Sequence, residues 1–155
     1  MVRAPASFPA PEGPTPKEAT VKKLALAAVI SGIWINLSEF LRNELLFKHY
    51  WVRWFEDLGQ VFPSSPLNNA LWVIWGFLLA AAVAFLARRL TFGETFLLAW
   101  TLGFVLMWIV IGNLNVLPHG LLLVAVPWSV VEIAGAVWIS RAIMSGGRSR
   151  DGVSG

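Results

Sequence analysis

Glu132 is the residue of this chain whose position points most directly to chemistry. It lies 11 residues from each end of the apolar segment 121–143, which places it about 16 Å from either end of a helix. A charged carboxylate at that depth in a membrane costs roughly 2.5–3.5 kcal/mol. We therefore expect Glu132 to face other helices. It is either a proton, cation or ligand site, or a neutral acid bonded to a neighbouring helix.

The first apolar segment supplies polar partners for this carboxyl group. Asn36, Glu39 and Asn43 have the spacing i, i+3, i+7 and share one helix face. Arg42 follows Glu39 by three residues and is expected to pair with it along the helix. Helical side chains lean towards their own N-terminus, so antiparallel helices bring Arg42 and Glu132 closer than their backbones. We predict a buried network of these five residues, which either holds a zwitterion, relays protons or fixes the helices together.

Further polar residues gather at the outer ends of the apolar segments. Asn113, Asn115 and His119 lie in the run GNLNVLPHG, where glycine and proline predict a tight turn. One interpretation is that these residues cap helices and form the turn. The other places them at the rim of an outward-facing cavity.

Several chemistries are excluded. The chain has no cysteine, which excludes disulfides, thiol catalysis and cysteine-ligated metals. The sequence contains no H-E-x-x-H, G-x-S-x-G, phosphate-binding loop or dinucleotide-binding motif. A bis-histidine haem requires ligands from facing helices at one depth, whereas His49 and His119 both lie at or beyond the outer ends of their spans. We therefore expect no metal and no cofactor, and an enzyme built on Glu132 would lack a nucleophile.

The composition indicates an integral membrane protein. The 155 residues are 57% hydrophobic and only 14% charged, against about 25% charged in soluble domains. The mean hydropathy is +0.66, and a 17.1 kDa globule has too little interior to hide this much apolar surface. The net charge of +3 fits cytoplasmic loops better than nucleic-acid binding.

Four apolar segments are long enough to cross a bilayer as helices. They span about residues 24–47, 70–87, 95–112 and 121–143. The second and third have 18 residues each, which is short against the roughly 20 that the hydrocarbon core requires and fits a thinned bilayer. The expected fold is an all-α four-transmembrane-helix bundle.

The loop 48–67 predicts a short amphipathic helix between the first two spans. Its apolar residues share one helical face, and glycine or proline ends it near Gly59 or Pro63. The members of this face are Trp51, Trp54, Phe55, Leu58 and Phe62. The helix is expected to lie on the outer membrane surface as an interfacial anchor, or to cover an external opening.

The distribution of lysine and arginine predicts the orientation. With four spans, nine of the twelve cationic residues lie on one side, so both termini are expected in the cytoplasm and the protein in the inner (plasma) membrane. A rival arrangement has three spans, with residues 24–47 lying at the interface. We divide the chain into a disordered proline-rich tail (1–20), a transmembrane domain (21–144) and a flexible C-terminal tail (145–155).

Function follows from the polar residues within the spans. The first hypothesis is binding or transport of a small solute through an outward-facing polar pocket between the first and fourth spans. The second is a non-catalytic accessory or structural subunit of a membrane complex. The expected partners are the lipid bilayer and a second copy or a larger membrane complex, since four spans make a narrow bundle.

Overall fold

The computed structural model describes residues 15–146, so residues 1–14 and 147–155 lie outside the description. Every regular element within the described range is helical. Four of the helices are long and apolar enough to cross a membrane, which suggests a multi-pass membrane protein.

Five helices make up the described chain. They are α1 (Pro16–Leu46), α2 (Lys48–Asp57), α3 (Pro66–Ala87), α4 (Phe92–Asn113) and α5 (Leu122–Ser145). The last turns of α1 (Leu41–Leu46) and the middle of α4 (Thr101–Val105) are π-helical. The four predicted apolar segments are confirmed as helices. Because α3 and α4 each have 22 residues, or about 33 Å, neither needs a thinned bilayer.

Helix α1 begins inside the segment that the sequence predicts as a tail. The Thr15 side chain accepts a hydrogen bond from the Glu18 backbone N–H (3.3 Å), and the Glu18 carboxylate accepts one from the Thr15 N–H (2.8 Å). This capping box, with Pro16 at the first helical position, fixes the start of a helix. The rest of the predicted N-terminal tail, and the predicted C-terminal tail from residue 147, lie outside the described residues.

The long helices pack around one apolar core. Helix α1 lies against α3 and α5, and α4 lies against α3 and α5. The core is formed by Ile35, Ala80, Val83, Ala99, Phe104, Ile133, Ala136 and Val137. Ser31 donates to the Ala136 carbonyl (3.2 Å) and bonds the Ser140 hydroxyl (2.8 Å), so small residues let α1 and α5 approach closely.

Hydrogen bonds between distant elements show which ends of the helices lie together. Arg141 donates to the Leu90 carbonyl (2.7 Å) and joins the end of α5 to the turn between α3 and α4. Trp54 of α2 donates to the Asn115 carbonyl (3.2 Å) and joins α2 to the turn between α4 and α5. The described cationic residues of the predicted inner side therefore share the end of the structure opposite to α2.

Helix α2 confirms the predicted short amphipathic helix. It ends before Gly59, whose φ of 69° lies in the left-handed region that favours glycine. Trp51 and Phe55 pack on the ring of Phe62, with centroids 6.4 and 5.5 Å apart. The apolar face of α2 is therefore partly covered by the chain that follows it.

Candidate functional site

Glu39 and Arg42 form a buried ion pair within the first long helix. Arg42 Nη2 donates to Glu39 Oε1. The Arg42 side chain is 4% exposed and the Glu39 side chain is 11% exposed. Asn43 Nδ2 donates to the other Glu39 oxygen (2.7 Å), and Trp51 of α2 donates to the Asn43 side-chain oxygen (3.1 Å). The pairing predicted along this helix is confirmed, and both oxygens of Glu39 are bonded.

Two π-helical segments meet at this ion pair. Arg42 lies in the π-helical end of α1 and Phe104 in the π-helical middle of α4. The guanidinium carbon of Arg42 lies 5.4 Å from the centroid of the Phe104 ring, which is cation–π contact. Such widened turns occur frequently at functional sites.

Glu132 lies beside the same cluster on α5. It is 1% exposed, and its Oε2 accepts a hydrogen bond from Ser38 Oγ (2.6 Å). Ser38 Oγ in turn accepts from Trp128 Nε1 (2.8 Å), and Trp34 Nε1 donates to the Glu132 backbone carbonyl (2.9 Å). Glu39 and Arg42 both lie within electrostatic range of the Glu132 carboxyl group.

Three buried polar atoms of the cluster stay unpaired among residues 15–146. They are Oε1 of Glu132 and Nε and Nη1 of Arg42. A buried donor or acceptor without a partner costs about 1–3 kcal/mol, and more when the group is charged. These three atoms can therefore form hydrogen bonds that the surrounding helices do not supply.

Comparison with known proteins assigns no role to this cluster. No protein-family model, curated protein or solved structure matches the chain. The chemistry of the cluster therefore has to be argued from its own geometry. In the described part of the chain, no three His, Cys, Asp or Glu side chains lie close enough to hold a metal ion.

Not every predicted residue belongs to the cluster. Asn36 Nδ2 donates to the Gly32 carbonyl of its own helix (2.8 Å), and its side chain packs at Gly76 of α3. The prediction that Asn36 joins the network is therefore corrected, because the asparagine satisfies itself one turn back along α1.

The predicted rim residues lie in or beside the turn between α4 and α5. Asn113 ends α4 and is exposed, and Asn115 adopts a positive φ of 58°, which asparagine tolerates better than most residues. His119 begins a single 3₁₀ turn, His119–Leu121, and its side chain lies outside the description.

The side chains of Arg42 and Glu132 are buried. Two surface cavities of about 290 and 210 Å³ lie around α2. Neither is lined by any of the seven predicted site residues whose side chains the structure describes. A solute therefore reaches Glu132 only if the helices around the cluster separate.

The sequence does not single out Ser38, Phe104 or Trp128. One pattern could have found Ser38. Ser31, Ile35, Ser38 and Arg42 are spaced 4, 3 and 4 residues apart and are all buried, so they form the stripe of α1 that faces its neighbours. No sequence pattern indicates that Phe104 lies under Arg42, because that contact joins different helices.

Proposed function

We propose that this chain is a multi-pass protein of the inner (plasma) membrane that binds a small polar solute between α1 and α5. Glu39, Arg42 and Glu132 are the binding groups. One observation carries the proposal: a buried guanidinium with two unpaired nitrogens lies next to a buried carboxyl group with one unpaired oxygen. Intramembrane ionisable groups of this kind are costly and mark binding sites or ion pathways.

The unpaired atoms favour a small zwitterion. The free nitrogens of Arg42 can donate only, which suits the carboxylate or other anionic group of a ligand. The free oxygen of Glu132 can accept a hydrogen bond, which suits an ammonium group. The cluster holds two acids and one arginine, so an ammonium group or a proton balances the second acid. Entry of the solute requires α1 and α5 to part near the π-helical end of α1.

The membrane topology is part of the same proposal. The described cations outside α2 and the cluster lie at the end of the helices where α1 begins and α5 ends, and they are Lys17, Lys22, Lys23, Arg88, Arg89 and Arg141. Because cytoplasmic loops carry surplus Lys and Arg, this end is assigned to the cytoplasm. Helix α2 then lies at the outer surface, with its aromatic residues at the level of the lipid headgroups.

A reporter fusion tests the topology. A periplasm-active reporter, such as alkaline phosphatase, fused after Gly155 should be inactive, because the positive-inside rule holds this terminus in the cytoplasm. The same reporter inserted after Ser64, in the loop between α2 and α3, should be active. An active Gly155 fusion, or a silent Ser64 insertion in a stably expressed protein, would contradict the assignment.

Glu132→Gln tests the solute site. The amide keeps the size of the side chain and can still accept from Ser38, but it cannot carry a negative charge. We expect the purified variant to fold and to bind a zwitterionic solute at least about tenfold more weakly than the wild type, because a charge-assisted hydrogen bond is lost. Thermal shifts measured over a panel of amino acids and betaines report both properties.

Glu56→Gln is the matched control for this measurement. Glu56 is an exposed glutamate of α2, so its variant should shift with the same ligands as the wild type. If no zwitterion shifts the wild type and Glu132→Gln fails to fold, solute binding is contradicted. Normal binding by a folded Glu132→Gln variant would exclude Glu132 from the site.

An accessory subunit is the second candidate, and a specific observation favours it. Most polar atoms around Glu132 are already bonded inside the protein, through Ser38, Trp34 and Trp128. Such a set of hydrogen bonds between α1 and α5 fixes the register of the two helices. In that case the partner is a second copy of the chain or a larger membrane complex, and Glu132→Gln changes folded yield without changing the binding of any solute.

A further inference from the structure

A second polar site lies on the outer side of α2, away from the cluster. A surface cavity of about 290 Å³ separates α2 from the turn before α5. Pro118 and Gly120 line it from the turn, and the residues that line it from α2 are His49, Tyr50, Arg53, Trp54 and Asp57. The cavity therefore combines a cation, an anion, an imidazole and two amphipathic aromatic rings.

The two charges in this cavity do not neutralise each other. Arg53 and Asp57 are four residues apart, or about 6 Å along the helix, and neither side chain forms a hydrogen bond or ion pair with the described residues. Arginine before aspartate is the less favourable order for such a pair. On the same helix, Lys48 already pairs with Glu44 (2.6 Å). The charged side chains of Arg53 and Asp57 thus line one cavity without forming an ion pair with each other.

We propose that this cavity binds the phosphoethanolamine headgroup of a membrane phospholipid. The guanidinium of Arg53 matches the oxygens of a phosphate, and the Asp57 carboxylate accepts hydrogen bonds from a primary ammonium group. Tyr50 and Trp54 are amphipathic rings of the kind that lie at lipid headgroups. The proposal rests on the outer-surface position of α2 given above, and it is independent of the solute site at Glu132.

Asp57 sets the preference among headgroups. A primary ammonium donates hydrogen bonds to a carboxylate, whereas a choline group has no N–H to donate. Phosphatidylglycerol has no cation for Asp57. The cavity should therefore prefer phosphatidylethanolamine to both other lipids, and the free headgroup should bind more weakly because it lacks the acyl chains that hold a lipid at the surface.

Native mass spectrometry of the full chain tests the proposal. The protein is released from micelles containing equal amounts of phosphatidylethanolamine, phosphatidylcholine and phosphatidylglycerol. We expect the wild type to retain phosphatidylethanolamine at least about fivefold over either competitor. Arg53→Gln and Asp57→Asn should each abolish this preference, and Glu56→Gln, on the same helix but outside the cavity, should keep it.

A steric variant gives independent support. A Cβ at Gly120 would lie 3.5 Å from Tyr50 Cε1, an ordinary contact, so Gly120→Leu should fold and fill the cavity. Its expected result is loss of the lipid preference. Glu132→Gln should keep the preference, so that failure of the lipid site and failure of the solute site are separate results.

Three outcomes would overturn the proposal. One is a preference that survives both Arg53→Gln and Asp57→Asn. Another is retention of phosphatidylglycerol that depends on Arg53 alone, which would assign the cavity to anionic lipids. The third is equal competition by soluble glycerophosphoethanolamine, which would assign it to a free metabolite rather than to a lipid.

Discussion

Replacing Arg42 with methionine should lower the free energy of unfolding by about 3–5 kcal/mol, the usual cost of removing one partner of a buried ion pair. Arg42 is 4% exposed and holds one oxygen of Glu39. Methionine fills much of the same volume and still packs on Phe104, so the lost stability reports the charge. The variant leaves a buried carboxylate beside Glu132, where two acids then face each other without a cation.

The control for Arg42→Met is Lys48→Met. Lys48 pairs with Glu44, but these side chains are 40% and 32% exposed, and exposed pairs contribute about 0–1 kcal/mol. Unfolding by a denaturing detergent, followed by tryptophan fluorescence, measures both variants. Adding Glu39→Gln to Arg42→Met should restore part of the lost stability, because it removes the unpaired charge. Equal effects of Arg42→Met and Lys48→Met would show that the Glu39–Arg42 pair contributes no more to stability than an exposed ion pair.

The helices were largely predictable because their determinants are local. Length and apolarity identified four segments, and the period of Trp51, Trp54 and Phe55 identified α2. The five prolines of residues 1–20 predict a tail, whereas the capping box of Thr15 and Glu18 starts α1 inside that segment. Proline at the first helical position starts a helix rather than breaking it.

The site was predictable only within one helix. The three-residue spacing of Glu39 and Arg42 predicted their ion pair, and the depth of Glu132 predicted its burial. The hydrogen bond by which Ser38 joins α1 to Glu132 depends on the register of α1 against α5, which no local pattern specifies. For Asn36, the helix periodicity predicted the face of α1 but not the hydrogen bond that its amide donates to the Gly32 carbonyl.

The π-helical segments explain why the cluster has this geometry. A π turn inserts an extra residue into the helix and changes which residues face a neighbour beyond it. In α1 the π-helical end includes Arg42 and Asn43, and in α4 the π-helical middle includes Phe104. The two widened turns therefore present the guanidinium and the ring that supports it to each other.

Gly135→Ala should destabilise the protein by about 2–4 kcal/mol, the sum of overpacking and one lost hydrogen bond. A Cβ at Gly135 would lie 2.7 Å from Trp34 Nε1 and 2.9 Å from a ring carbon. The indole must move, and it then loses its hydrogen bond to the Glu132 carbonyl. The packing of α1 against α5 beside Glu132 therefore requires glycine at position 135.

Gly93→Ala is the matched control, since a Cβ there meets nothing within 4 Å. In the first turn of α4 this change should stabilise by about 0.5–1 kcal/mol, as alanine replaces glycine in a helix. Detergent-induced unfolding should therefore show that replacing glycine with alanine lowers the free energy of unfolding at residue 135 and raises it at residue 93. In a Trp34→Leu background the indole is gone, so Gly135→Ala should cost less than about 1 kcal/mol. An undiminished cost in that background would show that Gly135 is constrained by something other than Trp34.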